Sequence, residues 1–589
     1  MLSPVGAVDP HDRTPNTQVC VIKVPIRPAA DCARIIFDFV ETLSTMPDEP
    51  RASGVAEWTR AVELDRLQPS RPVAVKVRGK HVALFLHNGE IFACNNRCPH
   101  EGYPLVEGAL DADCVLTCHW HNWKFDLKTG ATIYGGDNLR LYPVKVEDGA
   151  VWLDTADPPA AERIERALQH LEQAMAEYDI ARIARELARL GTAGAKPELA
   201  LARVIQGTHA RLRDGMTHAY AAAEAWLRLR DTLAGETPRL ACATEALIYI
   251  AFDTLREKTY PFTTESTPWN VEVFAAAIES QDEDGAAALL NGALAQGLHF
   301  ADLEPALAEA ALAHYNDFGH SLIYLMHVRR LIERLGTEVE KPLLLAWLRS
   351  LIFATREDLL PDFGRYADAL AAWPAGARLL NANPGTPPSP DSFEGKSVRD
   401  VLNATVAAAG NAPLDVYFAL MEASARHLLR FDERHALRTD NSLADNVGWL
   451  DFSHALTFGH ALRQQCARQP HLWPQGLLQL ALFVGRNSGY LDPNMPAQTA
   501  FLEWAVSDET TFHERAVAAI IDHGIGLPIF PAHWLKTWSA VREEVAAGLP
   551  AGARTAMLAA VNRLLAVRFK QRHTLRTAHQ ALGFVGKED

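Results

Sequence analysis

Two hydrophobic periods divide the chain. Val73–Val77 (VAVKV) and 81–86 (HVALFL) are β-branched and alternating, which predicts strands. His87-Asn88-Gly89-Glu90 carries the Asn-Gly hairpin signal, and 91–94 returns. Further short strands are expected at 114–117, 124–127 and 142–146, with Asp148-Gly149 turning into 151–153. Many short strands with turns between them predict a small all-β domain over 56–155. After the linker 155–160 (TADPPA) the period changes to 3.6. Segments 162–190, 198–213, 218–233, 244–258, 304–335 and 442–468 place apolar residues at helical spacing. The expected fold is therefore multidomain: a small β module followed by a large all-α body over 160–589. The Pro-rich stretch 381–390 reads as a surface loop, and 1–55 as an extension with a short amphipathic helix over 30–44.

The length of 589 residues fits several domains. Lys plus Arg is 57 and Asp plus Glu is 72, a net charge of −15. An acidic chain with no basic run is a poor nucleic-acid or anionic-membrane binder. No apolar run reaches ~18 residues, so no membrane span is expected. Residues 1–14 lack the apolar core of a secretory signal. Eight cysteines in this length do not make a disulfide scaffold, so a cytoplasmic protein with reduced thiols is expected.

The sharpest chemical signal is Cys98-Pro99-His100, then 17 residues, then Cys118-His119-Trp120-His121. Two loops each supply one thiolate and one imidazole. Two Cys on one iron and two His on the other would form a [2Fe–2S] cluster of raised potential, because neutral imidazoles remove negative charge. Zinc also takes Cys₂His₂, but the spacing and flanks disfavour it.

These loops resemble those of the Rieske [2Fe–2S] domain. The resemblance extends to Gly102, Pro104-Leu105 and Gly108 after the first loop. After the second it takes in Trp123-Lys124-Phe125-Asp126-Leu127 and Thr129-Gly130. Cytochrome-complex members carry an extra disulfide-forming Cys in each loop; here Glu101–Tyr103 and His119 stand there, while Cys94 and Cys114 lie outside. The resemblance is thus to the ferredoxin and nitrite-reductase-subunit branch, which implies a soluble electron carrier.

The helical body holds a histidine pattern that recurs. Asp317-Phe318-Gly319-His320 parallels Asp451-Phe452-Ser453-His454, each followed by a small residue, Leu and, two further on, an aromatic. Thr217-His218-Ala219-Tyr220 is a looser copy, and Glu245 takes the His position in a fourth. Asp and His at i and i+3 share a helix face, which suits two ligands or a ligand and its orienting carboxylate. Asp can equally cap a helix N-terminus. The metal candidates, in falling order, are His218, His320, His454, His460, His327 and Glu245, with Asp317 and Asp451 orienting or ligating. His327 is seven residues from His320, and His460 six from His454, so neither pair chelates one ion on an ideal helix.

Met216-Thr217-His218 running into Glu224-Ala225-Trp226-Leu227, the stretch from His320 to His327, and that from His454 to Arg463 resemble the questin-oxidase-like family over roughly 205–465. That resemblance implies a helical oxygenase acting on aromatic polyketides, with non-heme iron held by several His and a carboxylated Lys. Lys258, Lys341 and Lys396 have no matching surroundings, so no lysine is assigned.

The expected function is an O₂-dependent oxidoreductase. NAD(P)H, through a ferredoxin reductase or similar donor, reduces the cluster. The cluster feeds a non-heme Fe(II), and a small organic, aromatic substrate is oxidised. Imidazole and carboxylate ligands with open positions suit that metal. Trp226, Tyr249, Tyr324, Trp449 and Phe458 are candidate pocket aromatics. The alternatives are a di-iron carboxylate bundle using Glu224 and Glu245, a ring-hydroxylating oxygenase using Asp451, His454 and His460, and an electron-transfer protein with a helical docking domain. Iron content separates them.

Overall fold

The computed structural model describes residues 56–69, 71–374 and 386–585. The helix expected over 30–44 and most of the Pro-rich stretch lie outside the described residues.

Among the described residues, eleven strands make three small antiparallel sheets. The first holds, in spatial order, β1 (Trp58–Glu63), β11 (Ala150–Asp154) and β10 (Val144–Glu147). The second holds β2 (Val73–Val77), β3 (Lys80–His87), β4 (Glu90–Asn95) and β9 (Leu141–Tyr142). The third holds β5 (Ala109–Leu110), β6 (Val115–Thr117), β7 (Lys124–Asp126) and β8 (Thr132–Tyr134). The Asn-Gly turn joins β3 (Lys80–His87) to β4 (Glu90–Asn95), with Asn88 and Gly89 both at positive φ. The single strand expected over 142–146 is two, β9 (Leu141–Tyr142) and β10 (Val144–Glu147). Pro143 between them lacks the N–H a continuous ladder needs. β1 (Trp58–Glu63) pairs with β11 (Ala150–Asp154) and brings the ends of the module together.

The rest of the described chain is helical around one apolar core. Two long helical periods are each two helices. The first breaks between Ala160–Glu177 and Ile180–Thr192, where Tyr178 turns left-handed (φ 56°) and Asp179 caps the next N–H groups. The second breaks between Phe300–Leu312 and His320–Leu335, at a kink with positive φ at Asp317, Phe318 and Gly319. At Gly319 a side chain would strike Phe458, so glycine is required there twice over.

From Glu57 onward the chain forms one compact unit. Asp137, between β8 and β9 and fully buried, sits 2.6 Å from Arg185 and 2.7 Å from Arg189 of the helix Ile180–Thr192. Asp157 in the linker binds Lys80 and Arg140 of the β module. The module is therefore clamped to the helices.

Candidate functional site: two histidine centres

Cys98 and Cys118 are buried in the β module's core, beside Phe125 and Leu127. Each loop is closed by its own backbone: Cys98 N–H donates to Tyr103, Gly102 N–H to Cys98, and Cys118 N–H to Trp123. Gly102 (φ 78°) takes the left-handed turn the first loop needs. The loops bring the His100 and His121 Nδ1 atoms to 3.0 Å from each other. Two thiols inside and two imidazole nitrogens at the rim match a cluster held by two Cys and two His. Burial pushes the Cys98 thiol up to about 11, so iron has to displace its proton. Trp123 stacks on His100 at 4.6 Å, while His121 and Trp120 face solvent.

In the body, His218 and His320 are the first residues of the helices His218–Asp231 and His320–Leu335, and His454 lies in the second turn of Trp449–Cys466. Their ring nitrogens lie within 4.8 Å of one another. His320 Nε2 is 3.0 Å from His218 Nε2 and 2.8 Å from His454 Nε2. A fourth, His533 on the helix Ile529–Ala546, places its Nε2 3.4 Å from that of His454. Nitrogens bound ~2.1 Å from one ion at right-angled to tetrahedral angles stand about 3.0–3.4 Å apart. The observed spacings, 2.8–3.4 Å, are close to that range, so the set could hold a metal ion.

The opposite ring nitrogens are all occupied. His454 Nδ1 donates to Leu450 O (2.6 Å) and His533 Nδ1 to Ile529 O (2.8 Å). Nδ1 of His320 faces Asp317 (3.2 Å), and that of His218 faces the Tyr324 hydroxyl (3.1 Å). The carbonyl and carboxylate partners fix the tautomers of His454, His533 and His320 with the Nε2 lone pair inward, and the Tyr324 hydroxyl orients the His218 ring. Burial, and then neighbouring positive charge, holds His218, His454 and His533 well below the usual imidazole range, so they are neutral at pH 7. Lys536, one turn after His533, is buried, and its charge is felt by these three rings. Burial pushes its amine down to about 7.

A cavity of about 570 Å³ opens onto His218 and His320, lined also by Tyr324, Asp253, Asp317 and Phe353. That volume suits a small organic molecule.

The Rieske [2Fe-2S] domain description matches residues 57–141. The ferredoxin component of the naphthalene 1,2-dioxygenase system of Pseudomonas putida is 33% identical over 100 residues, covering 17% of this chain and 95% of the ferredoxin. The chain belongs to the Rieske [2Fe–2S] proteins. A Rieske domain implies a [2Fe–2S] cluster, and Cys98, His100, Cys118 and His121 fit one. The 4β-methylsterol monooxygenase of Methylococcus capsulatus is 37% identical over 136 residues, 20% of this chain and 37% of that protein. The chain thus spans just over a third of the monooxygenase. The solved Sphingomonas yanoikuyae B1 ferredoxin is 30% identical, covering 17% of this chain and 98% of that one, with a TM-score of 0.16. These three likenesses each cover a fifth of the chain or less.

Beyond the Rieske domain, the sequence-derived candidates separate. His218, His320 and His454 converge, and Asp317 orients His320. Asp451 does not hold His454: it caps its own helix at Gly448 N (2.7 Å) and pairs with Arg486 (3.0 Å). His327 and His460 are tied to Glu224 (2.9 Å) and Glu544 (2.7 Å), and Glu245 pairs with His523 (3.2 Å). Of the pocket aromatics, Tyr324 reaches the cavity. Trp226 and Phe458 are core, and Trp449 packs on Phe431. His533 and Lys536 are additions of the structure. Their only sequence signal is a His and a Lys one turn apart on an otherwise apolar stretch.

Proposed function

We propose that this protein is an O₂-dependent oxidoreductase. In this reading the Rieske cluster passes electrons to a non-heme iron held by His218, His320, His454 and His533. The observation that carries the reading is the convergence of four Nε2 atoms whose Nδ1 partners are already supplied. Iron with open positions would supply O₂ activation to an organic substrate in the adjoining cavity. The chain's own groups do the rest. Asp317 and Tyr324 aim two of the imidazoles, and the helices keep water from His454 and His533. Burial pushes the Asp253 carboxyl up to about 6, so near neutral pH it can exchange a proton at the cavity wall.

Lys536 adds a second support. A neutral amine buried beside metal-ligating histidines can take up CO₂, forming an N–C bond and releasing a proton. The resulting carbamate oxygen would complete the shell. That matches the carboxylated lysine implied by the questin-oxidase-like resemblance. A di-iron site draws no comparable support, because Glu224 is already paired to His327 and Arg228, and Glu245 to His523. The Rieske relatives named above serve a naphthalene dioxygenase system and a methylsterol monooxygenase, which favours an oxygenase and an organic substrate. Electrons would come from NAD(P)H through a ferredoxin reductase.

The test is His320→Ala and His454→Ala, with iron counted and the cluster's EPR recorded. Each variant should lose the non-cluster iron and product formation while the cluster signal stays. Full iron in both would leave an electron-transfer protein with a helical docking domain.

A further inference from the structure

The two sides of the cluster differ. His121 and Trp120 face solvent, with Trp120 64% exposed. On the other side His100 lies flat on Trp123, with ring planes 14° apart. The far edge of that indole meets the helical body across two glycines. A Cβ on Gly135 would lie 2.5 Å from the Trp123 ring. One on Gly136 would lie 3.5 Å from Trp123 Cη2, from Asp179 Oδ2 and from Arg182 Cδ alike. Gly135 has to lack a side chain for the indole to lie there, while Gly136 sits in ordinary contact between the indole and the helix.

From that point the body continues toward the second centre. Asp179 follows Tyr178, whose ring lies 5.8 Å from Phe252. The left-handed turn at Tyr178 that splits the two helices also points this ring at Phe252. Next to Phe252 stands Asp253, which accepts a 2.6 Å hydrogen bond from the Thr217 hydroxyl. Thr217 caps the helix that begins at His218, and Asp253 and His218 line the same cavity. The Asp137 clamp to Arg185 and Arg189 holds the first half of this series in register with the second.

We propose that electrons leave the cluster through His100 and Trp123 and reach the histidine site of the same chain by way of Tyr178, Phe252 and the Asp253–Thr217–His218 contact. This rests on the proposed function, which supplies the acceptor. In each transfer the reduced cluster loses one electron, and ferric iron at the histidine site gains it and becomes ferrous. No residue of the route is itself oxidised. The exposed His121–Trp120 edge is left for the external donor, so entry and exit use different cluster histidines.

The test is anaerobic and needs no substrate. The full-length protein, its pocket iron ferric, receives one equivalent of dithionite. Cluster absorbance is followed by stopped flow and its EPR by rapid freezing. Reoxidation of the cluster should be first order and unchanged on dilution. Tyr178→Leu and Phe252→Leu should each slow it severalfold, with cluster and iron content at wild-type levels. A rate proportional to protein concentration would overturn the route, and so would wild-type rates in both variants. A wild-type cluster that stays reduced although iron is present would show an acceptor unconnected to it and sink the route. A cluster that stays reduced because the pocket binds no iron would remove the proposed function as well.

Discussion

Replacing Asp137 with Asn keeps the shape of the inter-module contact and removes its central charge. Asp137 is fully buried, and Arg185 and Arg189 keep 23% and 40% of their side-chain surface exposed. Burial alone would raise the carboxyl, but the two guanidiniums hold it below the usual carboxylate range. Its folded pKa is depressed, so this stabilisation is present above the unfolded value. It is lost as pH falls through the folded one, and at pH 7 it is complete. Removing one partner of a fully buried pair costs about 3–5 kcal/mol. Water reaches both arginines, and Arg189 retains Glu186, so we take about 2–3 kcal/mol here. With a urea slope of ~1–3 kcal/mol per M, the midpoint should fall by roughly 1 M. The assay is urea unfolding of the holoprotein, with cluster absorbance reporting the Rieske domain and circular dichroism the helices. The cluster transition should move more than the helical one, and Asp137→Asn with Arg185→Gln should recover part of the loss. Coincident, unshifted transitions would refute the clamp.

Other expectations can be checked separately. Cys118→Ser should abolish the Rieske EPR signal and turnover while leaving the non-cluster iron in place; an unchanged turnover would take the cluster out of the mechanism. Lys536→Ala should lower pocket-iron affinity. In the wild type, bicarbonate should raise iron loading more at pH 8 than at pH 6, because the amine is neutral only above about 7. Equal loading at both, measured by metal analysis, would exclude the carbamate. His327→Leu should destabilise by about 1.5–3 kcal/mol, since it removes the hydrogen bond that the neutral imidazole gives the buried Glu224 carboxylate. Denaturant titration reads this, and an unchanged midpoint would show that Arg228 and Arg330 suffice for Glu224.

The cluster is legible in the sequence because ligand chemistry fixes residue type and spacing within two short loops. The β module and helical body are legible because their hydrophobic periods differ. The helical site is only half legible. His218, His320 and His454 stand out by small and aromatic neighbours along three helices, and those neighbours do pack there. The Asp-Phe-small-His likeness, however, covers two different structures. At Asp317 it is a kinked turn that orients His320, and at Asp451 it is a helix cap that does not touch His454. A shared string of residues does not specify φ, and positive φ at Asp317 and Phe318 separates the two. His533 lies 79 residues beyond His454 and Lys536 further still, so only tertiary packing brings them in. The Tyr178 break was hidden for a related reason. The apolar stripe continues across it, and the turn is set by a left-handed residue and an Asp cap, not by Gly or Pro.

In the proposed function this chain carries a metal centre in its helical body in addition to its Rieske cluster. Iron per chain, measured on anaerobically purified protein alongside the spin count of the reduced cluster, tests it most directly. About three irons are expected, two of them in the cluster and one removed by His320→Ala. A count of about two, all in the cluster and unchanged by His320→Ala, would contradict it.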